Sequence, residues 1–268
     1  MIFKIHLIIF LISSLCFGDN NIKPDKLIMY KKVGNTELYL HAFYPPKNLE
    51  VNLYPAIIFF FGGGWNSENK TQFYRQSKYF SSLGIACFCA DYRVRSKHNV
   101  SPDKCVMDAK SAIRFIRENN ITLAIDSDKI IASGGSAGGH LAASTATLPL
   151  FDDHGDNLEI SAVPNALILF NPVLNTSNIN RLGDLSINLS PYHHLSSKIP
   201  PTLIMHGTND KIVNHYQAVE FYEKMIDLKN ICKIKLYEKM PHGFFNNKKY
   251  YETLEEAESF IRSLHWIE

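Results

Sequence analysis

The sequence predicts an α/β protein with a mostly parallel central sheet and helices on both faces, and three observations carry that prediction. Mostly apolar runs recur at 55–61, 85–91, 129–133, 165–170 and 201–207, as strands buried on both faces of a parallel sheet do. Amphipathic helical patterns separate them, giving successive βαβ units with right-handed crossovers. No Gly/Ser-rich linker or internal repeat divides residues 19–268, which are read as one domain. The chain has 268 residues, 46% of them apolar, enough for a sizeable core.

Each element has its own signature. Residues 27–33 and 37–44 alternate around Gly34-Asn35 and read as an N-terminal antiparallel hairpin, ended by Pro45-Pro46. The buried strand 55–61 stops at Gly62-Gly63-Gly64-Trp65, an amphipathic helix is expected over 69–83 with Gly84 as its cap, and 85–91 is the next strand. Ser101-Pro102-Asp103 starts a helix that places Val106, Ala109, Ala112, Ile113 and Ile116 on one face. The strand 129–133 runs into Gly134-Gly135-Ser136-Ala137-Gly138, and an uncharged helix follows at 141–148. After the strand 165–170 comes Asn171-Pro172; after 201–207 come a helix at 213–228, a strand at 232–237 and a closing helix at 250–264. Residues 152–157 and 174–197 show no period and read as surface loops over the carboxyl ends of the strands, where ligands bind in open α/β sheets.

Residues 1–18 carry the pattern of a secretory signal peptide. Lys4 precedes an apolar run, and Cys16-Phe17-Gly18 offers small residues at the two positions a signal peptidase reads. A membrane anchor and a lipoprotein acylated on Cys16 are the alternatives, but the run is short for a span and Leu15 is bulky for a lipoprotein signal. Cleavage leaves a secreted or periplasmic protein with no stable membrane span. The formal charge of +2 and the lack of a basic stripe exclude nucleic acid as an expected partner. Cys87, Cys89, Cys105 and Cys232 remain, either as buried thiols or with Cys105 bridged to Cys87 or Cys89; a lone Cys-x-Cys does not suggest zinc. Asn-x-Ser/Thr sequons include those that begin at Asn99, Asn120, Asn175 and Asn188.

The chemistry gathers on Gly134-Gly135-Ser136-Ala137-Gly138. A Gly-x-Ser-x-Gly between strand and helix delivers a serine oxygen to a sharp turn beside free helix N–H groups, although a Gly/Ser loop can match by chance. Acyl transfer by such a serine needs a base, a group to orient the base, and donors for an oxyanion. Asp210, in the loop after the 201–207 strand, is the candidate orienting acid; its alternative is a turn or helix-capping residue. His242, in Met240-Pro241-His242-Gly243-Phe244, is the candidate base; alone it would be an ordinary loop histidine. Both follow successive strands in the order Ser, Asp, His. The N–H groups of Gly63, Gly64 and Ala137 are the candidate oxyanion donors. Trp65 is either a substrate-contacting pocket wall or a core aromatic. His193-His194 lacks a matching carboxylate cluster, so no metal or other cofactor is implied.

With Phe61-Gly62-Gly63-Gly64-Trp65, Asp91-Tyr92-Arg93, Gly134 to His140, His206-Gly207-Thr208-Asn209-Asp210 and Pro241-His242-Gly243-Phe244 in view, the chain resembles the α/β-hydrolase superfamily. It is most similar to the hormone-sensitive-lipase-like branch and its secreted acetylxylan or feruloyl esterases, over about residues 26–263. The resemblance implies Ser136 as nucleophile, His242 as general base and Asp210 as its orienting acid. It also implies Asp91 and Arg93 as a structural pair. One departure stands out: the family's usual histidine before the three glycines is Phe61 here, which puts the rigidity of the oxyanion hole in question. The short inserts leave no room for a large cap domain, so an open site for a short acyl group on a bulky alcohol such as a sugar is expected. The expected substrate is a small-molecule or oligosaccharide ester, acetyl or feruloyl by resemblance. An exopeptidase of the same fold and an inactive carbohydrate- or partner-binding homologue are the alternatives.

Overall fold

The computed structural model describes residues 22–46 and 53–268, so the signal segment expected at 1–18 lies outside the described residues. Eight strands form one open sheet. They are β1 (Lys26–Val33), β2 (Thr36–Phe43), β3 (Tyr54–Phe60), β4 (Ala86–Ala90), β5 (Ile125–Gly135), β6 (Ala166–Phe170), β7 (Thr202–Gly207) and β8 (Cys232–Tyr237). Their spatial order is β1-β2-β4-β3-β5-β6-β7-β8. The pairs β1–β2 and β2–β4 are antiparallel and the remaining neighbours parallel, so the expected hairpin is the sheet's antiparallel margin.

Side-chain alternation explains why the central strands read as continuous apolar runs. On β3, Ala56, Ile58 and Phe60 face one core while Ile57 and Phe59 face the other. The first core is covered by α3 (Pro102–Glu118), α4 (Ala137–Thr147) and α6 (Tyr216–Asp227), the second by α1 (Tyr74–Ser82) and α7 (Tyr250–Ser263). Val106, Ala109, Ala112, Ile113 and Ile116 of α3 are all fully buried, as their helical spacing predicts. A single helical turn, α2 (Arg95–His98), precedes α3, and another, α5 (Leu185–Asn188), interrupts the segment expected to be loop.

Several boundaries differ from the sequence reading. The first helix begins at Tyr74 rather than 69, because the preceding residues are consumed by turns: Asn66 and Ser67 N–H both donate to Gly63 O, and Gln72 N–H to Asn69 O. Strand β5 starts at Ile125, where polar Asp126, Ser127 and Asp128 hide it from a hydrophobic count. Helix α4 starts at Ala137, four residues earlier than expected, because Gly138 and Gly139 look like poor helix formers but pack against the sheet.

Of the two readings of the cysteines, the structure has buried thiols: Cys87, Cys89, Cys105 and Cys232 are free and buried. One expected pairing is corrected. Asp91 and Arg93 do not pair with each other. Asp91 accepts from Lys70 Nζ at 2.7 Å and lies 3.2 Å from His41 Nε2, while Arg93 makes a two-pronged contact with Asp108 through Nε at 2.8 Å and Nη2 at 2.7 Å. The two residues flank Tyr92 beyond the end of β4, and each side chain meets a counter-charge from another segment, Lys70 and His41 for Asp91 and Asp108 of α3 for Arg93. Lys31 of β1 also reaches the fully buried Asp108 at 2.9 Å, tying the edge strand to α3. Lys31 also pairs with Asp153 at 2.7 Å, so Asp108→Ala strands the buried Arg93 alone, and a loss of about 3–5 kcal/mol in urea unfolding is expected; a loss under about 1 kcal/mol would mean the pair is effectively solvated.

Candidate active site

Strands β3, β5, β6, β7 and β8 run parallel, so the loops after their carboxyl ends meet on one edge. Ser136 sits between β5 and α4 with φ 56° and ψ −117°, a backbone conformation that an L-residue adopts only under constraint. The constraint is steric. A Cβ at Gly138 would lie 2.0 Å from Phe60 O, and one at Gly135 would lie 2.5 Å from the Phe245 ring. The glycines therefore let helix and sheet close on each other, and the serine takes the bend. Its backbone is held on both sides: Ser136 N–H donates to Phe170 O at 3.0 Å, and Ser136 O accepts from His140 N–H at 3.0 Å.

His242 Nδ1–H donates to Asp210 Oδ2 at 2.6 Å, which leaves Nε2 as the proton-accepting nitrogen. Asp210 Oδ1 accepts from the N–H groups of Ile212 and Val213, both at 2.9 Å. His206 Nε2 donates to Val213 O at 3.0 Å and lies 3.2 Å from Asp210 Oδ2. Burial alone would raise the Asp210 pKa, but the donors from His206, His242 and the two backbone amides outweigh it and hold the carboxyl well below the ordinary range. Ser136 and His242 share one cleft of about 510 Å³, which Gly62, Gly63 and Gly64 also line.

The glycine loop is oriented by contacts that no motif reveals. Gly62 N–H is taken by Gln72 Oε1 at 2.6 Å, whereas the N–H groups of Gly63, Gly64 and Ala137 are uncommitted among the described residues. Gly63 has φ 135°, and a Cβ there would lie 2.3 Å from Ser67 O, so only glycine fits. Its carbonyl accepts from Asn66 and Ser67 N–H at 3.0 and 3.1 Å, which points the Gly64 N–H of the same peptide the opposite way. Phe61, where the family's histidine is absent, stacks on Tyr92 with centroids 4.1 Å apart, and Tyr92 Oη–H donates to Phe61 O at 2.8 Å. Rigidity thus comes from an aromatic stack and a backbone anchor.

Trp65 lies outside the cleft that holds Ser136. It is 3% exposed, and its indole N–H donates to His140 Nδ1 at 3.2 Å, so it serves as a core aromatic bracing the loop against α4. Burial lowers the His140 pKa to about 4, and its Nε2–H donates to Leu189 O at 2.6 Å. His193 and His194 bond to Ser190 Oγ and Ile187 O, and no cluster of metal ligands occurs among the described residues. Gln72 and Asn171, whose buried Oδ1 accepts from Gly243 N–H at 3.1 Å beside His242, carry no sequence signal that would have assigned them a place here, whereas His206 stands in the motif that ends at Asp210 without an assigned role.

The arrangement can hold a carbonyl oxygen against free N–H groups beside a serine and a histidine. Comparison with known proteins agrees with that chemistry. The BD-FAE family model matches residues 42–184 and 172–225. A probable carboxylic ester hydrolase of Mycobacterium tuberculosis, LipM, is 30% identical over 189 residues, 61% of this chain and 43% of that protein. An acetylxylan esterase of Xylanibacter ruminicola is 27% identical over 210 residues, 70% of this chain and 41% of that protein. The chain thus spans about half the length of the curated relatives it matches. Among solved structures, esterase 2 of Thermogutta terrifontis phosphorylated by paraoxon superposes with a TM-score of 0.88 at 42% identity, covering 92% of this chain and 96% of that one. The propionate-bound form of an esterase of that species, Est2, superposes at 0.85 with 40% identity, covering 90% and 95%.

The bracing histidine makes stability pH-dependent with a definite sign. His140 is buried neutral with a pKa of about 4 against an ordinary 6.5, so the unfolded chain binds the extra proton between those values. Its contribution, about 3 kcal/mol, is complete above pH ~6.5 and is lost as pH falls toward ~4. In His140→Gln the amide can donate to Leu189 O and accept from Trp65 without titrating. Thermal unfolding between those pH values should show a shallower fall in Tm for the variant than for wild type; parallel curves would refute the assignment.

Proposed function

Because the chain belongs to the BD-FAE family, and its homologues and structural neighbours are carboxylic ester hydrolases, we propose that it is a serine esterase acting through an acyl-enzyme on Ser136. The observation that carries the reading is the 2.6 Å contact from His242 to Asp210 in a cleft shared with Ser136 and faced by uncommitted N–H groups. His242 Nε2 accepts the Ser136 hydroxyl proton as Oγ bonds to the ester carbonyl carbon. Gly63, Gly64 and Ala137 N–H groups receive the oxyanion. The carbon–oxygen bond to the alcohol then breaks, and His242 returns the proton to the departing oxygen. Water repeats both steps on the acyl-enzyme to release the acid. Asp210, held ionised, keeps the proton of His242 on Nδ1 throughout.

The substrate reading is an acetyl or feruloyl ester of a carbohydrate. It is supported by the acetylxylan esterase relative, by the short inserts around the cleft, and by the propionate that a structural neighbour binds. The phosphorylation of a neighbour by paraoxon supports an activated nucleophile. With residues 1–18 as a cleaved signal, the enzyme acts outside the cytoplasm as a single catalytic domain over 19–268. No helix of the described residues is long and apolar enough to cross a membrane.

Ser136→Ala is expected to lower kcat on para-nitrophenyl acetate by about 10⁴-fold or more with the fold intact; near-wild-type turnover would sink the assignment. Across para-nitrophenyl esters of rising chain length, kcat/KM should peak at acetate to butyrate, and a maximum at decanoate would overturn the short-acyl reading.

A further inference from the structure

A second cavity, of about 340 Å³, opens beside the cleft, and Gly64 belongs to the walls of both. Arg95 and Arg181 line it, together with Trp65 and the residues that lead into α3; no carboxylate does. Neither arginine is in an ion pair among the described residues. Nearby acids are already engaged: Asp103 accepts from the Ser101 hydroxyl and lies 3.4 Å from Lys104, and Glu68 lies 3.1 Å from Lys97.

Both arginines are exposed, and both are joined to the glycine loop, Arg181 through its side chain and Arg95 through its backbone. Arg181 Nη2 donates to Gly64 O at 3.3 Å, and its guanidinium lies 5.5 Å from the centre of the Trp65 ring. Arg95 N–H donates to Trp65 O at 2.9 Å. Two guanidinium side chains lining one cavity that no carboxylate lines give it a positive potential that favours an entering anion. A planar carboxylate suits a guanidinium fork best.

We propose that this cavity is a subsite for a carboxylate carried by the ester substrate, so that the enzyme favours acidic esters such as acylated uronate sugars. The inference rests on the esterase reading above. The carboxylate can belong to the alcohol portion or to the acyl portion, and two pairs of esters separate these. Para-acetoxybenzoate and its methyl ester differ by charge on the alcohol; para-nitrophenyl hemisuccinate and butyrate differ by charge on the acyl group.

The readout is the anionic-to-neutral ratio of kcat/KM within each pair, because Arg181 also touches Gly64 and its loss can alter every rate. Arg95→Gln and Arg181→Gln are each expected to lower that ratio about tenfold for one pair, and the pair that moves names the portion bearing the charge. Raising NaCl to about 0.5 M should lower the wild-type ratio in the same direction. Ratios unchanged in both pairs and both variants overturn the subsite and leave the esterase reading standing. Wild-type protein that turns over none of the four esters and resists a fluorophosphonate probe overturns the esterase reading itself, and the subsite with it.

Discussion

At Gly138 the first turn of α4 presses against the end of β3 so closely that a Cβ would meet Phe60 O at 2.0 Å. That contact joins the two elements on which the site depends. Strand β3 delivers the glycine loop and β5 delivers Ser136, and their parallel register pairs Phe60 with Gly134. Pushing α4 away would move the serine, relax its φ of 56° and withdraw Ala137 N–H from the cleft together. The proposed nucleophile and the proposed oxyanion donors are thus one packing unit, so geometry that would be strained in isolation is held by the sheet.

Electrostatics are layered onto that unit from the neighbouring strands. Asp210 keeps its charge although nearly buried, because both of its oxygens are supplied with donors. One of those donors is His242, so the group that orients the proposed base is itself oriented by backbone amides and by His206 beneath it. Such a carboxylate fixes the imidazole's tautomer without taking its proton. Asn171 steadies the same loop from β6 through Gly243.

The glycine loop shows how a missing motif residue is replaced. Without a histidine before the glycines, the loop is gripped by the Phe61–Tyr92 stack, by Gln72 on Gly62, and by Trp65 against His140. The grips come from different elements, which explains why Phe61 looks like a defect when read alone. Arg181 adds an outer contact on Gly64 O, linking the loop to the segment that carries the short α5 turn.

By itself the sequence determined the fold class, the strand order in the chain, and the candidate Ser136, Asp210, His242 and glycine N–H groups. Each rests on a local rule: period-2 burial, helical spacing, or a turn that only glycine makes. Boundaries at Ala137 and Ile125 escaped because propensity scores penalise glycine and polar residues that close packing requires there. The Asp91 and Arg93 pairing failed because each has a nearer counter-charge supplied by a segment distant in sequence, Lys70 for Asp91 and Asp108 for Arg93. Only the tertiary structure decided that Trp65 braces rather than lines the cleft, that Gln72 holds Gly62, and that Arg95 and Arg181 share a cavity. Those contacts, with that of Arg181 on Gly64, join residues from 10 to 117 positions apart, distances over which no local pattern operates and only the sheet's topology sets who meets whom.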